Sequence, residues 1–97
     1  MKVNITVFRF NWDAGNSGKN RKHHVEDSEC EEVFFDQKKV FLKDKFHSAN
    51  EDRYILLGKT KQARLLYIVF TIRNGKVRII SARDINKKEV HLYEKAA

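Results

Sequence analysis

This sequence predicts an α+β fold: a compact single domain with a central antiparallel β-sheet and short helices packed on it. Three observations carry that reading. Residues 64–83 read RLLYIVFTIR, then Asn74-Gly75, then KVRIISAR, so two dense β-former runs flank a strong two-residue hairpin signal. A further run, RYILLG, ends at Gly58 and is joined to the first by the short turn TKQAR, which makes the strands sequential neighbours and therefore antiparallel. Helical patterns flank this strand block on both sides, which is the segregated arrangement of an α+β domain.

Taken in order, VNITVFRF (3–10) alternates and predicts a first strand with some burial on both faces. NWDAGNSGKN holds two glycines among small polar residues, so it predicts a turn or loop that leads into a short helix, with Trp12 as its large core anchor. A second helix is expected from Asp27 or Ser28 to Phe35, because Ser28 and Glu31 have capping-box spacing. Its apolar stripe is Cys30, Val33 and Phe34. A short strand at 40–42 and a polar loop follow. LLYIVF is apolar on both faces, as befits a central strand. In the next strand Val77, Ile79 and Ser81 face one side, Arg78 and Ile80 the other. Ser81, with Asp84 three residues on, would then cap a last helix whose broad apolar face is Ile85, Val90, Leu92 and Tyr93.

The 97 residues make one domain, 1–97, able to bury about 60–70% of its extended surface. The longest apolar run, LLYIVFTI, is too short for a membrane span, and MKVNITVFRFNWD forms no apolar signal-peptide core. Cys30 is the single cysteine, so an internal disulfide is excluded. These features predict a cytoplasmic protein with no membrane partner. The net charge is +7 and it is segregated: residues 26–36 carry six acids and no base, whereas residues 59–88 carry nine bases against Asp84 alone. Such a distribution draws polyanions, which makes RNA or DNA the leading partner class.

Several residues could carry chemistry. Were Ser81 a helix cap, Arg83 would sit in the first helical turn, where a cation is disfavoured but where it could grip a phosphate together with free backbone amides. Lys87 would continue that basic stripe. The competing reading pairs Arg83 with a carboxylate such as Glu51 or Glu89. In GKNRKHHVED, His23 and His24 follow Lys22; HExxH spacing is absent and His47 and His91 are the only other imidazoles, so neither a metal site nor a cofactor is expected. A histidine beside a lysine can move protons in RNA cleavage, or can simply end a helix. Glu51 and Arg53 at the entry of a strand are either an ordinary ion pair or a base with its clamp.

Taken together, FNWD, KHHV running into SECEEVFFD, NEDRYILLGKT, RLLYIVFTIR and VRIISARDINKKEVHLYEKA resemble the BrnT family of bacterial toxins, within the RelE-like ribonuclease group. The resemblance spans roughly residues 8–95. It implies a RelE-like fold, metal-independent endoribonuclease activity that inhibits translation, and neutralisation by a ribbon-helix-helix antitoxin, with operator DNA bound only through the toxin–antitoxin complex. It places the family's Lys-His pair on Lys22 and His23, its Glu-x-Arg on Glu51 and Arg53, its strand-ending arginine on Arg73, its Ser-Ala-Arg arginine on Arg83 and its C-terminal tyrosine on Tyr93. Two departures stand out. His24 occupies a position usually held by glycine, which must strain a histidine or change the turn. The Asn20–Lys22 stretch is one residue short, so either the helix ends early or the pair is displaced.

The implied reaction lays RNA across Lys22, Arg73, Arg78 and Arg83. His23 or Glu51 takes the 2′-hydroxyl proton, another group protonates the 5′-oxygen, and a 2′,3′-cyclic phosphate results. The catalytic set is thus His23, Glu51, Arg53 and Arg83; Lys22, Arg73, Arg78, Lys87 and Tyr93 bind RNA. Two rival classes remain: a basic nucleic-acid-binding module without catalysis, and a domain whose basic face serves to bind an acidic antitoxin segment.

Overall fold

The computed structural model describes residues 9–45 and 51–96. The expected strand at 3–10 therefore lies almost entirely outside the described residues; its end, Phe10, makes an isolated parallel bridge to Val77. Among the described residues the sheet has four strands, paired antiparallel and in sequence order: β1 (Val40–Asp44), β2 (Arg53–Lys59), β3 (Leu65–Arg73) and β4 (Lys76–Asp84). Two helices accompany it, α1 (Asp27–Val33) and α2 (Lys87–Ala96), with a 3₁₀ turn at Lys19–His23. The α+β prediction holds, and the register follows from local chemistry. Asn74 and Gly75 both take positive φ, 52° and 74°, the geometry that lets a two-residue turn match the strand twist.

The core lies on the sheet face covered by α1. Cys30, Val33 and Phe34 are fully buried, as the stripe predicted, against Leu56, Leu66, Ile68 and Phe70. Phe34 is its centre, with ring centroids of Phe70 at 5.1 Å and Phe10 at 5.2 Å in edge contact. The helix comes so close to β2 that a Cβ on Gly58 would lie 2.6 Å from Val33 Cγ1. Trp12 packs at the core margin, and its indole N–H donates to Glu31 at 2.7 Å.

Three element boundaries differ from expectation. Helix α1 is capped by Glu26, whose N–H is bound by Glu29 at 3.0 Å, and not by Ser28 with Glu31. In β4 the alternation slips: Val69 faces Ser81 but Phe70 faces Ile79, so Ile80 is an extra residue, and beyond it Ala82 is buried while Ser81 is exposed. Ser81 does not cap a helix, because the ladder to β3 continues through Leu66↔Asp84 and claims its backbone. The cap of α2 is Asn86, whose Oδ1 accepts the Glu89 N–H at 2.9 Å while Glu89 accepts the Asn86 N–H at 3.0 Å.

The acidic run at 26–36 is largely structural. Asp27 accepts the Gly18 N–H, Glu31 holds Trp12, Glu32 accepts the Lys61 N–H, and Asp36 accepts the Lys59 N–H and the Tyr93 hydroxyl. These carboxylates fasten the loops and α2 to α1 rather than acting as a free charged stripe. The outer edge of β4 is closed in a similar way: buried Asn16 donates to the Ile79 carbonyl at 3.1 Å, and buried Asn20 accepts the Ala82 N–H at 2.9 Å.

Candidate nucleic-acid interface

Four of the anticipated residues meet at the hairpin end of the sheet. Arg53, Thr71 and Arg78 face one another across β2, β3 and β4, so they stand in one row. Adjacent strands are about 4.8 Å apart, which puts the two arginine backbones about 10 Å from each other. Arg73 lies two residues beyond Thr71 on the same side of β3. Just before β2, the Thr71 hydroxyl donates to the Asp52 carbonyl at 2.7 Å and pins the chain beside it. Glu51 is thereby presented to Arg73 and receives a two-pronged bond, Nε to Oε2 at 3.0 Å and Nη2 to Oε1 at 2.8 Å. The Arg73 fork, aided by the charges of Arg53 and Arg78, holds the Glu51 carboxyl below its usual range, against a smaller opposing effect of desolvation. Glu51 thus precedes the strand and turns to Arg73, not along the β2 face toward Arg53. Arg78 is bound by Asp13 through both terminal nitrogens, each at 2.9 Å, and by Asn11 Oδ1 at 2.6 Å.

Arg83 belongs to a second group. It pairs in register with Tyr67, six residues of β3 from Arg73, hence about 20 Å away along the strand. It sits on β4, not in the first turn of a helix as expected. Glu89 takes its fork, at 2.9 and 2.7 Å, as the carboxylate-pairing alternative anticipated. Burial opposes ionisation of Glu89, but the Arg83 fork and the Asn86 N–H outweigh it and hold its carboxyl below the usual range. Lys87, exposed, opens α2 shortly after Arg83.

Lys22 and His23 lie in the 3₁₀ turn, and that turn ends early at His24. The His23 and His24 carbonyls accept from Arg64 at 3.4 and 2.7 Å, which ties this corner to the start of β3, the end opposite Arg73 and Glu51. His23 and Glu51 therefore do not meet. His24 stands within electrostatic reach of the Asp84 carboxylate. Its backbone takes the glycine conformation, φ 60° and ψ 32°. Since the left-handed region costs an L-residue about 1–2 kcal/mol and glycine adds about 0.4–1 kcal/mol of unfolded-state entropy, His24→Gly is expected to stabilise the fold by about 0.5–1 kcal/mol. Urea unfolding reads this directly, and an unchanged or lower midpoint would show the turn to be unstrained.

Tyr93, anticipated as an RNA contact, is turned inward and 97% covered, donating to Asp36 Oδ2 at 2.7 Å beneath the Lys59 ammonium. It positions α2. Sequence reasoning missed Arg64, Asp13, Thr71 and Tyr67; each acts through a partner 16 to 65 residues away, and no local pattern announces it. Among the described residues, no three His, Cys, Asp or Glu side chains are arranged to share a metal ion, and no helix is long and apolar enough to cross a membrane.

A family model described as the ribonuclease toxin, BrnT, of a type II toxin–antitoxin system matches residues 12–89, which include Glu51, Arg53, Arg73, Arg78, Arg83 and Glu89. No curated protein sequence matches the chain.

Proposed function

The chain belongs to the BrnT family of type II toxin–antitoxin ribonuclease toxins, and from that premise we propose that it is a metal-independent endoribonuclease whose catalytic centre is the hairpin end of the sheet. The observation that carries this reading is the Glu51–Arg73 fork flanked by Arg53 and Arg78. In the free protein both Glu51 oxygens are occupied by Arg73. A phosphodiester competes for the same guanidinium, since arginine binds phosphate with the fork it uses for carboxylate. Drawing Arg73 onto the phosphate releases Glu51 and lets its carboxyl rise toward the ordinary range, where it is a better base.

The freed carboxylate then takes the 2′-hydroxyl proton, and the 2′-oxygen attacks the adjacent phosphorus. The 5′-oxygen leaves with a proton from solvent, and the strand ends in a 2′,3′-cyclic phosphate. Arg53, Arg73 and Arg78 stabilise the added negative charge. Because nucleophile and phosphorus belong to one nucleotide, positioning alone supplies much of the acceleration. His23, at the other end of β3, is outside this step; Lys22 and Lys87 offer charge to the flanking RNA.

The family's type II character implies an antitoxin. We assign it the ribbon-helix-helix kind, with operator DNA contacted through the complex and translation blocked in the cytoplasm by loss of RNA. These assignments rest on the family resemblance.

Incubation of the purified protein with end-labelled RNA in EDTA is expected to yield fragments ending in cyclic phosphate. Matched DNA, and RNA carrying a 2′-O-methyl group at the cut, stay whole. Cleavage of DNA at a comparable rate sinks the mechanism. Salt-dependent binding with intact RNA favours the non-catalytic binding module instead.

A further inference from the structure

We propose that Arg83, lying over Tyr67, is a stacking platform for an unpaired RNA base several nucleotides from the cut, and so holds a base rather than a phosphate. This rests on the ribonuclease reading above only for the identity of the ligand. The guanidinium carbon lies 4.0 Å from the centroid of the Tyr67 ring. Three of its five N–H donors are engaged: Nη1 donates to Glu89 Oε1 at 2.9 Å and to the Asp84 carbonyl at 3.0 Å, and Nη2 to Glu89 Oε2 at 2.7 Å. The plane is therefore fixed from below by the ring and along its edge by the carboxylate.

The ring covers one face and the carboxylate the end of the fork, which leaves the outer face as the flat surface a ligand can meet. The Arg83 side chain is 41% exposed, whereas that of Glu89 is only 12% exposed. A phosphate gripped end-on needs the two Nη donors that already hold Glu89. To obtain them it would have to strip Arg83 from a largely buried carboxylate that is also held by the Asn86 N–H, leaving that charge uncompensated. A base needs only the flat face, and guanidinium planes stack on unpaired bases. Arg73 differs on both counts: its side chain and that of its partner Glu51 are 52% and 33% exposed, so that fork opens to solvent. One arginine is thus exchangeable and the other is locked. The separation of about 20 Å between them along β3 places the platform away from the scissile phosphate.

The test uses short single-stranded 2′-O-methyl RNAs, which no 2′-hydroxyl mechanism can cleave, each with one abasic site at a different position. Binding is read by fluorescence anisotropy. The wild-type protein is expected to lose roughly 5- to 150-fold in affinity at one position only, the range for one stacked base. In Arg83→Lys, which keeps the charge and loses the plane, that positional dependence disappears while the slope of affinity against salt stays the same. Tyr67→Phe preserves the effect and Tyr67→Leu weakens it, so a folding defect in one variant does not decide the matter. The proposal is overturned if no position stands out in the wild type. It is equally overturned if Arg83→Lys weakens all oligomers alike with a shallower salt slope, the mark of a phosphate contact. Failure of the wild type to cut ordinary RNA would instead count against the catalytic reading alone.

Discussion

The Glu51→Gln variant is expected to cleave RNA about 10²–10⁴-fold more slowly than the wild type, the usual cost of losing a positioned general base. Its melting temperature should barely move. Glutamine keeps the shape and can still accept from Arg73, but it takes no proton. The exposed position of the pair makes its contribution to stability small. The pH profile separates this reading from a purely structural role. In the free protein the Arg73 bond holds the Glu51 carboxyl below its ordinary range, so the acid limb of kcat/KM lies correspondingly low. Arg73→Lys removes the two-pronged bond; the maximal rate falls, and the acid limb moves up toward the ordinary carboxyl value. His23→Ala, at the far end of β3, should retain most of its cleavage. Full activity in Glu51→Gln, or a collapse in His23→Ala with Glu51→Gln unaffected, would return the acid–base role to the histidine.

That exchange of roles shows where sequence is informative and where it is not. The Asn74-Gly75 hairpin and the Cys30, Val33, Phe34 stripe are written in neighbouring residues, and the structure keeps them as read. Capping chemistry is also local, yet it misled twice. Ser28 and Ser81 have cap spacing, but Glu26 and Asn86 do the work, because strand pairing holds residue 81 in the sheet and Glu29 reaches back to Glu26. One extra residue at Ile80 was enough to send Ala82 inward in place of Ser81. Site residues are harder still. Glu51 and Arg73 meet across 22 positions, and Asp13 and Arg78 across 65. Which carboxylate neutralises which arginine depends on register, and that decides whether a cation is offered to RNA or locked. The resemblance singled out Arg73 and Arg83; only the fold shows that they lie in two groups.

Arg64→Gln is expected to cost about 2–3 kcal/mol of folding stability, on the scale of charge-assisted hydrogen bonds lost from a partly buried site. For a chain of this size that lowers the melting temperature by about 8–24 °C. Arg64 precedes β3 and gathers four partners from three other segments: the His23 and His24 carbonyls, both Glu29 oxygens at 3.1 and 3.2 Å, and Asp84 Oδ1 at 2.8 Å. Their contributions are unequal. Asp84 is 66% exposed, so solvent screens that pair, whereas Glu29 is 26% exposed and its partner 27%. Most of the loss should therefore come from Glu29 and the two carbonyls, and 1 M salt should recover little of it. Asp84 adds a pH signature. Its bond to Arg64 holds the carboxyl below the usual range, so its stabilising contribution is complete above the unfolded-state value near 3.9 and disappears as pH falls through the lower folded value. Thermal melts of wild type and Arg64→Gln should accordingly converge slightly in acid and differ most at neutral pH. Because Arg64 anchors the left-handed His24 corner but touches neither Glu51 nor Arg73, the variant should still cleave RNA at temperatures where it stays folded. Loss of cleavage in a folded Arg64→Gln would mean that the two ends of the sheet act on the same phosphate after all.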